Sequence, residues 1–133
     1  MSFQKDYYKE CVAEWIAEFN ERDDDEILAR NILSRAYYTM FLHCENVLKD
    51  EIFRCQASFS NKIIDHKSVM DAVKDTAIKT LLLEFKRYRE RADYDTKKLD
   101  LRENASVCKK QPSKTYIKKE LLEKIDFVFQ CIK

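Results

Sequence analysis

The run Leu33-Ser34-Arg35-Ala36-Tyr37-Tyr38-Thr39-Met40-Phe41-Leu42-His43-Cys44-Glu45-Asn46-Val47-Leu48 decides the fold. Leu33, Ala36, Tyr37, Met40, Phe41, Cys44, Val47 and Leu48 recur at steps of three and four, the spacing that gathers side chains on one side of an α-helix. Their band is too wide for one neighbour and predicts a central helix touching two others. No breaker interrupts the pattern, so the helix is expected from about Asp25 to about Cys55. Arg35, Tyr38 and Leu42 fall on the opposite side, where an exposed Leu and Tyr suit a dimer contact or a groove better than open water. His43 lies beside the band and reads as a hydrogen-bonded structural residue.

The same periodicity extends outward. Phe3, Tyr7, Tyr8, Cys11, Val12, Trp15, Ile16 and Phe19 predict an amphipathic helix over 3–20, behind Ser2 as N-cap. The acidic run Asp23-Asp24-Asp25-Glu26 complements the positive end of the next helix's dipole; adjacent aspartates do not share a face, and none of the spacing suits a metal. Periodicity lapses over 56–65, where Ser58, Ser60 and Asn61 mark a loop. Asp65 and Asp75 are both N-cap candidates, so 66–94 reads equally as one helix or two. Polar residues 96–113, with Pro112 among them, predict an extended or mobile connection. Ser113 then precedes a last helix carrying Tyr116, Ile117, Leu121, Leu122, Ile125, Val128, Phe129 and Ile132.

Composition agrees with an all-α class. The 133 residues include no glycine and one proline, which removes most hairpin punctuation and every Gly-rich phosphate loop. Length fits one domain spanning 1–133, an antiparallel bundle of four to five helices. Five cysteines, without a C-x-x-C pair, read as reduced core residues of a cytoplasmic protein. Neither a secretion signal nor a membrane span is expected, because no apolar run is long enough. No nucleophile elbow, zinc constellation or dinucleotide fingerprint occurs, and no metal or other cofactor is expected.

Net charge is +1, but it is unevenly placed. Residues 1–26 hold three basic against nine acidic side chains, a net of −6, whereas 86–120 hold twelve against six, a net of +6. Within the basic part, Arg87, Arg91 and Tyr94 share a helix face beside the apolar stripe Leu81, Phe85, Tyr88 and Ala92. Two guanidiniums and a phenol on a core rim can hold a phosphate, with Lys97 and Lys98 just beyond. A solvated arginine face is the alternative reading of that spacing.

Three blocks in order, Ser34-Arg35-Ala36-Tyr37-Tyr38-Thr39-Met40-Phe41, His66-Lys67-Ser68-Val69 and Tyr88-Arg89-Glu90-Arg91-Ala92-Asp93-Tyr94, resemble the HEPN domain family over about residues 25–130. The resemblance implies a helical bundle that dimerises around its signature helices. It also implies a place in prokaryotic toxin–antitoxin, CRISPR or phage-defence systems, often beside a small nucleotidyltransferase. Many members are metal-independent ribonucleases with an Arg, four to six residues, then His, and some toxins extend this to Arg-x4-His-x-Tyr. On this chain Arg87 takes the arginine position and Tyr94 the tyrosine position, both expected catalytic residues on that pattern, while Ala92 occupies the histidine position.

That departure bears on chemistry. RNA cleavage without metal needs a group to take the 2′-hydroxyl proton, a task for imidazole with its pKa of about 6.5 and not for a methyl group. A phenol with a pKa of about 10 is a poor substitute. Arg35 and His43 are eight helical steps apart, roughly 80° out of line, and do not restore the pattern. Three readings follow: a catalytically degenerate domain binding RNA, a nucleotide or a partner protein; an active endoribonuclease with a variant site; or a structural dimerisation module.

Overall fold

The computed structural model describes residues 4–55, 66–95, 99 and 112–133. Among them the chain forms seven helices and no strand: α1 (Lys5–Glu21), α2 (Glu26–Val47), α3 (Lys49–Cys55), α4 (His66–Ala72), α5 (Thr76–Tyr94), α6 (Lys114–Lys119) and α7 (Leu121–Cys131). The fold is all-α. The expected loop over 56–65, the cap at Asp65 and most of the polar connection over 96–113, including Lys97 and Lys98, lie outside the described residues, as does Ser2.

Local chemistry explains three of the helix starts. Asp25 accepts a hydrogen bond from the Leu28 amide at 3.0 Å and caps α2. Asp75 accepts from the amides of Ala77 (2.9 Å) and Ile78 (3.2 Å), which starts a fresh helix and makes 66–94 two helices. Ser113 accepts from the Tyr116 amide at 3.1 Å and caps α6. Each side chain satisfies an amide that the first helical turn leaves without a backbone partner.

Two expected continuous helices are instead interrupted. The central helix stops at Val47, and Leu48 separates it from α3. The Leu48 amide still donates to the Cys44 carbonyl at 2.8 Å, and the Ile52 amide to the Leu48 carbonyl at 2.9 Å. The change of course lets Leu48 pack on the core while Ile52, 1% exposed, enters it. The last helix likewise breaks at Glu120 between α6 and α7. No proline or glycine marks either point, so packing overrides propensity there.

The central role of α2 is as expected: it packs on α1, α5 and α7. Arg30 meets Ala92 and Asp95, Ser34 meets Asp93, and Tyr37 meets Arg89, so α2 and α5 run antiparallel. Lys9 pairs with Asp126, and Lys5 lies over Phe129, so α1 is antiparallel to α7. Asp23, in the connection between α1 and α2, binds Lys114 at 3.3 Å and Lys118 at 2.7 Å, tying that turn to α6. These lysines hold the Asp23 carboxyl below the usual carboxylate range, chiefly through their hydrogen bonds.

The core is apolar and continuous. Phe19 of α1, Ile32, Leu33, Tyr37 and Met40 of α2, Leu82 and Phe85 of α5, and Leu121 and Ile125 of α7 are almost wholly buried. Burying each such Leu, Ile or Phe contributes roughly 1.5–3 kcal/mol. Among the described cysteines, Cys44 is buried and pushed up to about 12 by desolvation, Cys11 is half-buried and Cys131 exposed; none is in a disulfide. No helix of the described residues is long and apolar enough to cross a membrane.

Candidate functional site

The C-terminal half of α5 is where the sequence concentrates its chemistry, and α2 fixes its position. Arg30 donates from Nη1 to three carbonyls at the end of α5, those of Arg91 (3.1 Å), Ala92 (2.7 Å) and Asp95 (2.9 Å). A guanidinium there meets the last carbonyls of α5, of which that of Arg91 also accepts from the Asp95 amide, and the negative end of the dipole. Glu26 holds that guanidinium by accepting from Nη2 at 3.0 Å, and also accepts from the Leu99 amide at 2.8 Å. Ser34 donates to Asp93 at 3.2 Å. Residues 91–95 and Leu99 are thereby registered against the first turns of α2.

The expected stripe of Leu81, Phe85, Tyr88 and Ala92 is buried. Arg87 is exposed and makes no hydrogen bond or ion pair with the described residues. Arg91 differs: its guanidinium pairs with Asp95 at 3.3 Å, and its side chain is only 11% exposed. Tyr94 is 72% exposed, while its phenol oxygen accepts from Arg89. Of the three residues expected to share a phosphate-binding face, one is therefore open and two already have polar partners.

Arg89 is the residue that pattern reading passed over. It is 6% exposed, and its guanidinium carbon lies 5.5 Å from the ring centroids of both Tyr37 and Tyr38 and 5.4 Å from that of Tyr94. Nη1 donates to the Tyr94 phenol at 3.1 Å and is 3.8 Å from Asp93, whereas Nε is buried without a hydrogen-bond partner among the described residues. Three aromatic faces suit a desolvated guanidinium, which is planar and weakly hydrated. The available signal was its place four residues after Phe85 and three before Ala92, on the core stripe, opposite the tyrosine pair of α2.

The same tyrosines reach a histidine. The Tyr37 hydroxyl and His66 Nδ1 are 2.6 Å apart, and the His66 ring lies 4.7 Å from Phe41 and 6.4 Å from Tyr38. Burial pushes the Tyr37 phenol above its ordinary range, against the opposing pull of Arg89, so it stays protonated at neutral pH. Arg89 and His66 thus share the Tyr37–Tyr38 platform although 23 positions separate them in sequence. Helical spacing alone does not reveal that proximity, because two different helices bring the residues to α2.

The residues expected at a dimer contact are placed differently from one another. Arg35 turns toward α1, its guanidinium carbon 5.7 Å from the Tyr8 ring and 5.9 Å from the Trp15 ring, with Nε buried and without a hydrogen-bond partner among the described residues. Tyr38 joins the Arg89 cluster, and Leu42 is half-buried against the core. A helix with neighbours on several sides has little free opposite face. His43 is 3% exposed and bonds through Nε2 to the Ile132 carbonyl at 2.5 Å. Among the described residues, no group of three His, Cys, Asp or Glu side chains is placed to hold a metal ion. Comparison with protein-family models, with curated proteins and with solved structures finds no match for this chain.

Proposed function

We propose that this chain is a HEPN-like, dimeric component of a prokaryotic defence or toxin–antitoxin system that binds single-stranded RNA on the rim of α5, in a setting that includes a partner such as a nucleotidyltransferase. The observation carrying the proposal is the pairing of an open cation, Arg87, with an exposed ring, Tyr94, that buried Arg89 backs. Arg87 and Tyr94 lie two helical turns apart, roughly 10 Å along the axis. A cation for the phosphate and an aromatic face for a base are the two elements of sequence-tolerant single-strand binding. Lys97 and Lys98 follow Tyr94 by three and four positions in the sequence. Ala92, 5% exposed in the apolar stripe, leaves the resembled cleavage pattern without its proton carrier.

The test is fluorescence anisotropy of an end-labelled single-stranded RNA in EDTA. Wild type should bind, Arg87→Ala combined with Tyr94→Ala should weaken binding at least tenfold, and the RNA should remain intact. Equal binding by the double variant would reject this surface.

A second reading is favoured by one specific observation, the Tyr37–His66 contact beside Arg89. In it the chain is an active metal-independent endoribonuclease whose proton carrier is His66 rather than a residue at position 92. The EDTA incubation separates the two: RNA cleaved by wild type but not by His66→Ala selects the enzyme, and intact RNA rejects it.

A further inference from the structure

The start of α1 and the ends of α2 and α7 border an open cleft of about 490 Å³, lined by Lys5, His43, Asn46, Val47, Phe129 and Lys133. Its size falls in the range of small-molecule sites. The lining side chains are amphipathic: two ammoniums, one amide, an imidazole and two apolar groups. Among the described residues neither lysine has an ion-pair partner, whereas Lys9, one helical turn beyond Lys5, is paired with Asp126.

The parts of the cleft are held in place. Lys5 Nζ lies 5.3 Å from the Phe129 ring centroid, which keeps the ammonium over the apolar floor. The His43 ring lies 4.7 Å from the same ring. Its Nε2–H donates to the Ile132 carbonyl, so Nδ1 is the acceptor nitrogen of the neutral imidazole. Burial holds the His43 pKa below its ordinary value, and Lys5 adds to the effect.

We propose that this cleft binds a small organic anion, its carboxylate or phosphate oxygens between Lys5 and Lys133 on the side lined by Asn46, and its apolar body against Val47 at the edge of Phe129. Ammonium groups act as point charges without the planar fork of arginine, so the site recognises the anionic head without selecting carboxylate over phosphate by geometry. A fully inorganic ion would leave the apolar floor unused. This site is separate from the α5 rim and does not depend on the RNA-binding proposal.

The chain has two histidines, so the ring carbon–proton resonances report each directly. His43→Gln or His66→Gln assigns them. Titration with sodium benzoate, phenyl phosphate and neutral benzamide, at constant ionic strength, should give a saturable shift of the His43 resonance with one or both anions. Benzoate alone identifies a carboxylate head, phenyl phosphate alone a phosphate head, and both the shared chemistry. Lys5→Met with Lys133→Met should weaken the anion at least tenfold with the circular dichroism spectrum unchanged; Lys133→Met alone, outside the helices, serves if the pair does not fold. No saturable His43 shift with either anion, benzamide binding as tightly as the anions, or unchanged affinity in a folded lysine variant would each overturn the proposal.

Discussion

Arg89 donates from Nη1 to the Tyr94 phenol at 3.1 Å, so the most exposed aromatic ring of the candidate site is joined to one of its most buried cations. The guanidinium spends its remaining contacts on Tyr37, Tyr38 and Asp93. Arg87, two residues earlier, is exposed. Two arginines in one helical turn therefore have different physical roles, one organising the α2–α5 interface and one facing solvent.

The first prediction concerns that difference. Arg89→Ala should cost about 3 kcal/mol of stability, because it opens a space among three rings, strips Tyr94 of a donor and removes the cation beside Asp93. Arg87→Ala should fall within about 0.5 kcal/mol of wild type. Urea denaturation monitored by circular dichroism measures both. Equal losses would remove the distinction between the two residues.

Ala92 gives a second. The position is buried on the stripe with Phe85 and Tyr88, so Ala92→His forces a larger polar ring into packed space. The substitution should destabilise the fold by about 2 kcal/mol. A variant as stable as wild type in the same urea titration would show that position 92 has room for the imidazole the resembled pattern places there.

Caps supply a third. Asp25→Ala and Asp75→Ala should each cost about 1 kcal/mol, whereas Asp24→Ala, exposed in the same acidic run as Asp25, should cost almost nothing. Thermal melts of the three variants decide it. A loss at Asp24 equal to that at Asp25 would make the run a charge effect rather than a specific cap.

These caps also show what could be read without coordinates. Asp25, Asp75 and Ser113 stood at the turns of hydrophobic periodicity, and α2 carried a band wide enough to require several neighbours. The breaks at Leu48 and Glu120 had no local marker, because they arise from where Ile52 and Leu121 must lie in the core. At the candidate site, the exposure of Arg87 and the burial of Ala92 follow from helical phase. The commitment of Arg91 to Asp95 is a four-residue spacing that phase also permits. The meeting of Arg89 with Tyr38, and of Tyr37 with His66, depends on how α4 and α5 sit against α2, which no single-helix periodicity encodes.

A fourth prediction is a pH dependence. Burial lowers the His43 pKa in the fold below its ordinary 6.5, so folding favours the neutral ring. The resulting stability is fully present above about pH 6.5 and is lost as pH falls from there through the folded-state value. Asp23 behaves likewise in a lower window, below 3.8, and does not contribute between about pH 7.5 and 5.5. Urea midpoints at those two pH values should fall for wild type and fall less for His43→Gln. An identical fall in both would assign the acid sensitivity to other groups.

The most direct test of the RNA-binding proposal is the salt dependence of affinity for a single-stranded RNA, measured by anisotropy in EDTA for wild type and Arg87→Ala. Each phosphate contact on a single strand contributes about −0.7 to the slope of log affinity against log salt, so Arg87→Ala should flatten the slope by about that amount and weaken binding at low salt. A slope and affinity unchanged from wild type would contradict the assignment of Arg87 to a phosphate and, with it, the central claim.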